Sequence, residues 1–196
     1  MSNDAIETWR AIEQKTHLAF KVESRKGYYI IKEGANGQEL SLCIRKLNNT
    51  ICFIIDKTAG SQEHAFPFLK YGTTKKNDAI LIIYFEKKIF VFLIEMKTSS
   101  PREYLKQIKG GRDFVEILLD LLERNKCCKK VEPNYFAVLC FDEPSVRGGR
   151  ESAKKNPTRH DTVIQFENDH GWRVCKWRKS TLNVKDLLGA ATEAPA

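Results

Sequence analysis

The chain has 196 residues, 42% of them hydrophobic and 30% charged, which is enough apolar material for a packed core and excludes wholesale disorder. Lys and Arg number 33 against 25 Asp and Glu, so the net charge is +8, a surplus that favours polyanionic partners. The opening MSNDAIETWR lacks the basic-then-apolar layout of a secretory signal, and no apolar run reaches about 18 residues, so a cytoplasmic protein with no membrane segment is expected.

In chain order, residues 2 to about 22 read as the first helix. Asp4 and Glu7 stand at capping-box spacing, and Ile6, Trp9, Ile12 and Phe20 fall roughly on one stripe. Two short strands, Tyr28–Lys32 and Glu39–Arg45, flank the turn-forming Gly34, Asn36 and Gly37 and predict a hairpin. A further strand is expected over Ile51–Asp56, and a loop over 58–77. Asp78–Phe85 and Lys88–Met96 are nearly continuous apolar runs, the pattern of strands buried on both faces.

Ser100, Pro101 and Glu103 then open a helix as N-cap, N1 and N3, and it runs to about Arg124. Inside it, Gly110-Gly111 is either a weak turn of helix or a place where backbone approaches a strand or a nucleic acid closely. Another apolar strand, Tyr135–Phe141, is followed by a basic loop over 142–159. Thr162–Phe166 and Trp172–Trp177 suggest a last strand pair around Asp169-His170-Gly171, and the tail over 190–196 is expected to be flexible. The order is that of a single α/β domain with a mixed central sheet flanked by helices.

Six cysteines (Cys43, Cys52, Cys127, Cys128, Cys140 and Cys175) form no CxxC pair, and the four histidines show no metal-binding spacing. Reduced thiols and no zinc site are expected.

The charged residues at the ends of the two apolar strands stand out, because burying an unpaired charge is costly. If Glu86-Lys87 is a two-residue turn, Phe85 faces Lys88, and counting back places Asp78 directly opposite Glu95, with Cβ atoms about 4.5–5.5 Å apart. A four-residue loop keeps that register; an odd loop length shifts it by one. Lys97, two residues past Glu95, shares its face. The two carboxylates repel each other, and a hard divalent cation held by oxygen ligands, Mg²⁺ or Mn²⁺, resolves the conflict. The plainer alternative is a structural ion-pair cluster at a sheet rim.

Asn77-Asp78 … Glu95-Met96-Lys97 resembles the ND…ExK form of the PD-(D/E)XK nuclease superfamily, and the resemblance covers roughly residues 51–141, with Asn77 where a Pro is common. It implies a restriction-endonuclease-like αβββαβ core with extra strands. Asp78 and Glu95 are then the metal ligands, with the Met96 carbonyl as a backbone ligand, and Lys97 assists the attacking water. The resemblance also suggests Gln107 on the following helix, for which an ordinary helix residue is the alternative, and an acid on the first helix, either Glu7 or Glu13. The implied activity is metal-dependent hydrolysis of phosphodiester bonds in DNA, ahead of RNA.

Lys75 and Lys76, beside Asp78, and Arg147, Arg150, Lys154 and Lys155, in the basic loop, are candidate phosphate contacts; for the basic loop an ordinary solvated loop is equally open. Trp172 and Trp177 alternate with basic residues and offer base stacking, although in a strand they take opposite faces, which favours a core role for at least one. With little chain for a separate reading domain, a homodimer or a partner protein is expected to supply recognition. Two further readings remain open: a non-catalytic nucleic-acid-binding or assembly module on the same fold, and an interaction protein whose basic face binds an acidic partner.

Overall fold

The computed structural model describes residues 4–16, 21–35, 38–54, 78–97, 104–141, 164–178 and 180–194; for 33–35, 38–40 and Lys97 it describes the backbone alone. The fold is mixed α/β, with two mixed sheets and three helices among the described residues.

Helix α1 spans Asp4–Lys15, with Asp4 and Glu7 in its first turn and Lys15 in its last, the charge placement that complements the helix dipole. The sequence predicts a helix running to about residue 22; residues 17–20 lie outside the described residues, but Lys21 and Val22 are not helical. The reason is tertiary: the Val22 N–H donates to the Cys52 carbonyl at 2.9 Å and Lys21 bridges Phe53, so this segment joins a sheet edge.

Strands β1 (Tyr28–Ala35) and β2 (Gln38–Arg45) form the expected hairpin, paired from Tyr28↔Arg45 to Ala35↔Gln38. They are longer than predicted, because pairing carries the ladder through Gly34 up to the turn. Strands β3 (Thr50–Phe53), β4 (Ala79–Phe85) and β5 (Lys88–Lys97) make an antiparallel meander. Glu86 and Lys87 form a two-residue turn with φ of +46° and +61°, the backbone whose twist matches a tight hairpin.

Helix α2 (Tyr104–Arg124) then crosses over to β6 (Asn134–Phe141), which lies parallel to β5. Its predicted opening over residues 100–103 lies outside the described residues. The sheet-facing side of α2 holds Tyr104, Ile108, Gly111, Val115, Leu119 and Leu122. Gly111 is thus in the buried stripe.

Strand β8 (Trp172–Trp177) is parallel to β6, and β7 (Glu167–Asp169) pairs antiparallel with it. In place of the strand expected over Thr162–Phe166, pairing begins at Glu167 as β7; Ile164 is buried and Phe166 packs on the core, while Thr162 and Val163 lie outside the described residues. Trp177 is buried and donates its Nε1–H to the Thr181 carbonyl, and Trp172 is half-buried beneath the Arg112 guanidinium, so both serve packing. The chain closes with β9 (Thr181–Asn183), parallel to β2, and helix α3 (Val184–Glu193), capped by the Asn183 side chain accepting the Lys185 N–H. The flexible tail expected from residue 190 is a correction: 190–193 belong to α3, because Leu187, Leu188 and Ala191 bury against the core.

The six-stranded sheet has the order β3-β4-β5-β6-β8-β7, and β1-β2-β9 form a second sheet. Two cores lie on opposite faces of the larger sheet. Ile80, Ile82, Ile89, Val91, Leu93, Ala137 and Leu139 face α1 and α2. Leu81, Ile83, Phe90, Phe92, Ile94, Phe136 and Val138 face the smaller sheet and α3. The apolar-on-both-faces pattern of β4 and β5 follows directly from this sandwich. None of the described helices is long and apolar enough to cross a membrane.

Candidate metal centre

The register of β4 and β5 runs from Phe85↔Lys88 back to Ala79↔Ile94. Asp78, a bend one residue before β4, is therefore next in line opposite Glu95. Alternation along both strands directs this pair of positions to the face occupied by Ile80 and Leu93, the side covered by α1 and α2.

The two carboxylates differ in setting. Asp78 is half-buried and its Oδ2 accepts the Met96 backbone N–H at 2.5 Å. The chain has not yet entered β4 at this point, and the aspartate side chain takes the place of the next ladder acceptor. Because the N–H and C=O of a strand residue point the same way, the Met96 carbonyl is directed into the same gap between β4 and β5. Glu95 is 0% exposed, between Ile94 and Met96 on a central strand, with Leu139 of β6 as its partner position.

Both carboxylates also act on Cys140, the strand partner of Met96. Its thiol pKa is pushed up first by burial, then by Cys175, Asp78 and Glu95. Lys97 closes β5 opposite Phe141.

The first-helix candidates separate. Glu13 lies beside Lys21, whose ammonium donates to the Glu13 carbonyl. Lys21 in turn bridges Phe53, the partner of Ile80, two residues along from Asp78. Burial lowers the Lys21 pKa and Glu13 offsets part of that shift. Glu7 stands at the other turn of α1, where it acts on Cys128 and where its neighbour Thr8 donates to the Lys129 carbonyl. Glu13 lies toward the Lys21–Phe53 bridge and Glu7 toward Cys128, and both side chains are exposed. Lys21 had no sequence signal, because its segment read as helix and only the pairing with β3 brings it here.

Gln107 is half-buried on α2, next to the sheet-facing Ile108, in the layer toward which the Glu95 position is directed. The start of α2 is held by Tyr104, which donates its hydroxyl to Asp169 Oδ2 at 2.5 Å, tying the helix to the β7–β8 turn. Lys75, Lys76, Arg147, Arg150, Lys154 and Lys155 lie outside the described residues.

The donor set of Asp78, Glu95 and the Met96 carbonyl is all oxygen, which suits a hard divalent cation such as Mg²⁺ or Mn²⁺. Among the described residues no group of three or more His, Cys, Asp or Glu side chains could hold a metal; this pair relies on the backbone for a third ligand. The chain matches no protein-family model, no curated protein and no solved structure.

Proposed function

We propose that this chain is a metal-dependent nuclease of the PD-(D/E)XK type, hydrolysing phosphodiester bonds of DNA ahead of RNA. The observation that carries the reading is the register that sets Asp78 opposite Glu95, with Asp78 bound to the backbone of Met96. The element order also supports it: α1, the meander β3–β5, the crossover α2 and the parallel β6 follow the αβββαβ order of that superfamily.

In this reading Asp78, Glu95 and the Met96 carbonyl would hold Mg²⁺ or Mn²⁺, which would supply Lewis-acid activation of the scissile phosphate and of the attacking water. Asp78 is oriented by its bond to the Met96 N–H, so its remaining lone pairs are directed by the strand rather than by a flexible loop. The Lys97 ammonium orients the water and steadies the charge that develops on the phosphorus oxygens. Gln107 on α2 and an acid of α1, Glu13 or Glu7, would position groups around the centre. A second copy of the chain or a partner protein supplies target recognition, and the protein works in the cytoplasm.

The test is incubation of purified protein with DNA and RNA in Mg²⁺ or Mn²⁺. Cleavage that disappears in Asp78→Asn, Glu95→Gln and Lys97→Ala supports the reading; cleavage indifferent to all three refutes it.

The complete enclosure of Glu95 favours one other reading, a non-catalytic nucleic-acid-binding or assembly module on the same fold. It predicts salt-dependent nucleic-acid binding that survives the three substitutions, with no metal-dependent turnover.

A further inference from the structure

The β1–β2–β9 sheet turns one face to the core and the other outward. Tyr29, Ile31, Leu42 and Ile44 are buried. The alternate positions form outward rows, with Tyr28 beside Arg45, Ile30 beside Cys43 and Lys32 beside Ser41. Ile30 is 42% exposed, one of the few large apolar side chains so exposed among the described residues. A groove of about 330 Å³ runs along this face, lined by Val22, Glu23, Arg25, Ile30 and Lys32.

One wall of the groove comes from the segment that precedes β1. This wall, residues 22–25, follows directly on Lys21, which bridges Phe53, the partner of Ile80. It then turns through Lys26 and Gly27 into β1, and the Gly27 carbonyl accepts the Lys46 N–H at 3.0 Å. Arg25, Lys32 and Arg45 thus bring three cations to one strip, with Glu23 the acid lining the groove. Cations spaced along a strand edge, with an aromatic ring and an exposed isoleucine between them, match a chain that carries regular negative charge and flat apolar rings.

We infer that this outward face is a binding track for a single strand of nucleic acid, with phosphates on Arg25 and Lys32 and a base against Tyr28 and Ile30. The inference goes beyond the nuclease reading, because this face lies on the opposite side of the six-stranded sheet from the helix layer toward which Asp78 and Glu95 are directed. Binding is measured separately from cleavage, so the two can fail separately.

The experiment is fluorescence anisotropy of a labelled single-stranded oligonucleotide, with the full chain, in EDTA, over a salt series. For single strands the slope of log affinity against log salt changes by about 0.7 per phosphate contact. The double variant Arg25→Ala/Lys32→Ala is expected to flatten the slope by about 1.4, and Tyr28→Ala to weaken binding by about tenfold or more. Glu23→Gln is expected to tighten binding, a gain that loss of folding cannot produce. A slope unchanged in the double variant, or binding unaffected by Glu23→Gln, overturns the track. So does an acidic peptide that competes as well as the oligonucleotide with the same dependence on Arg25 and Lys32. Metal-dependent cleavage that survives with an unchanged slope removes the track and leaves the nuclease; a flattened slope without cleavage removes the nuclease and leaves the track.

Discussion

The Asp78 carboxylate and the Met96 backbone N–H meet at 2.5 Å just before β4 begins, where β5 runs on past it. A side chain thereby completes a ladder that the main chain has not yet entered, and it does so next to the buried Glu95. The bond ties an acid at the rim of the sheet to one of its most enclosed strands.

Metal binding should be read in stability before it is read in activity. Mg²⁺ or Mn²⁺ in excess is expected to raise the Tm of the native chain, because a ligand that binds only the folded state stabilises it. The same addition is expected to leave the Tm of Glu95→Gln unmoved. Cleavage by that variant should fall by about 10³-fold, a barrier increase of several kcal/mol consistent with loss of the ion. An equal Tm response in both proteins refutes the centre.

The Glu86-Lys87 turn carries two side chains at positive φ. Such backbone costs residues with a Cβ about 1–2 kcal/mol each, and Asn-Gly suits it best. Replacing the pair with Asn-Gly is expected to raise stability by about 1 kcal/mol in urea denaturation, with no loss of nucleic-acid cleavage, since the register is unchanged.

Tyr29 links alkaline pH to stability. Its hydroxyl donates to the Thr50 carbonyl at 2.6 Å, and its pKa is raised from 10.0 to about 12, first by burial and then by Cys52 and Glu13. A phenol whose folded pKa lies above its unfolded value favours the folded state while protonated. That contribution is complete below pH 10 and is lost as pH rises toward about 12. Tyr29→Phe is expected to cost about 1 kcal/mol at pH 7 through the lost hydrogen bond, and to flatten the fall in stability over the alkaline window. A steep alkaline fall retained in Tyr29→Phe contradicts this assignment.

The C-terminal helix is part of the core rather than an appendage. Leu187 is fully buried with Leu188 and Ala191 against the β1–β2–β9 layer. Leu187→Ala is expected to destabilise the protein by about 2–5 kcal/mol, measured by chemical denaturation. A cost below 1 kcal/mol would return this helix to the status of a loose tail.

The thiols should differ in reactivity. Cys127 is exposed, whereas burial raises the pKa of Cys52 and Cys140 and pushes Cys175 up to about 11. Only thiolate reacts readily. Iodoacetamide at pH 8 is therefore expected to label Cys127 first and to spare Cys52, Cys140 and Cys175 until the chain unfolds, as peptide mass mapping will show.

Much of the sheet was legible in the chain. The apolar runs of β4 and β5 marked strands buried on both faces, and a two-residue turn was enough to place Asp78 opposite Glu95, since side chains alternate with a period of two. Periodicity was weaker where long-range pairing overrides it. Residues after Lys15 continue a helical stripe, yet Lys21 and Val22 join β3. Residues 162–166 have strand composition, yet the pairing forms at Glu167–Asp169. The tail over 190–196 looked loose, yet residues 190–193 continue α3 and Ala191 is buried against the core.

By itself, the amino-acid order determined the two central strands β4 and β5, their hairpin register and therefore the facing positions of two acids, because these depend on near neighbours and on turn length. Only the tertiary structure decided that Lys21 bridges Phe53 of β3, that Glu13 and Glu7 lie toward different neighbours, and that a groove forms on the outward face of the smaller sheet. Those relations join segments with no shared local pattern, and they exist only once helices and sheets have been stacked against one another.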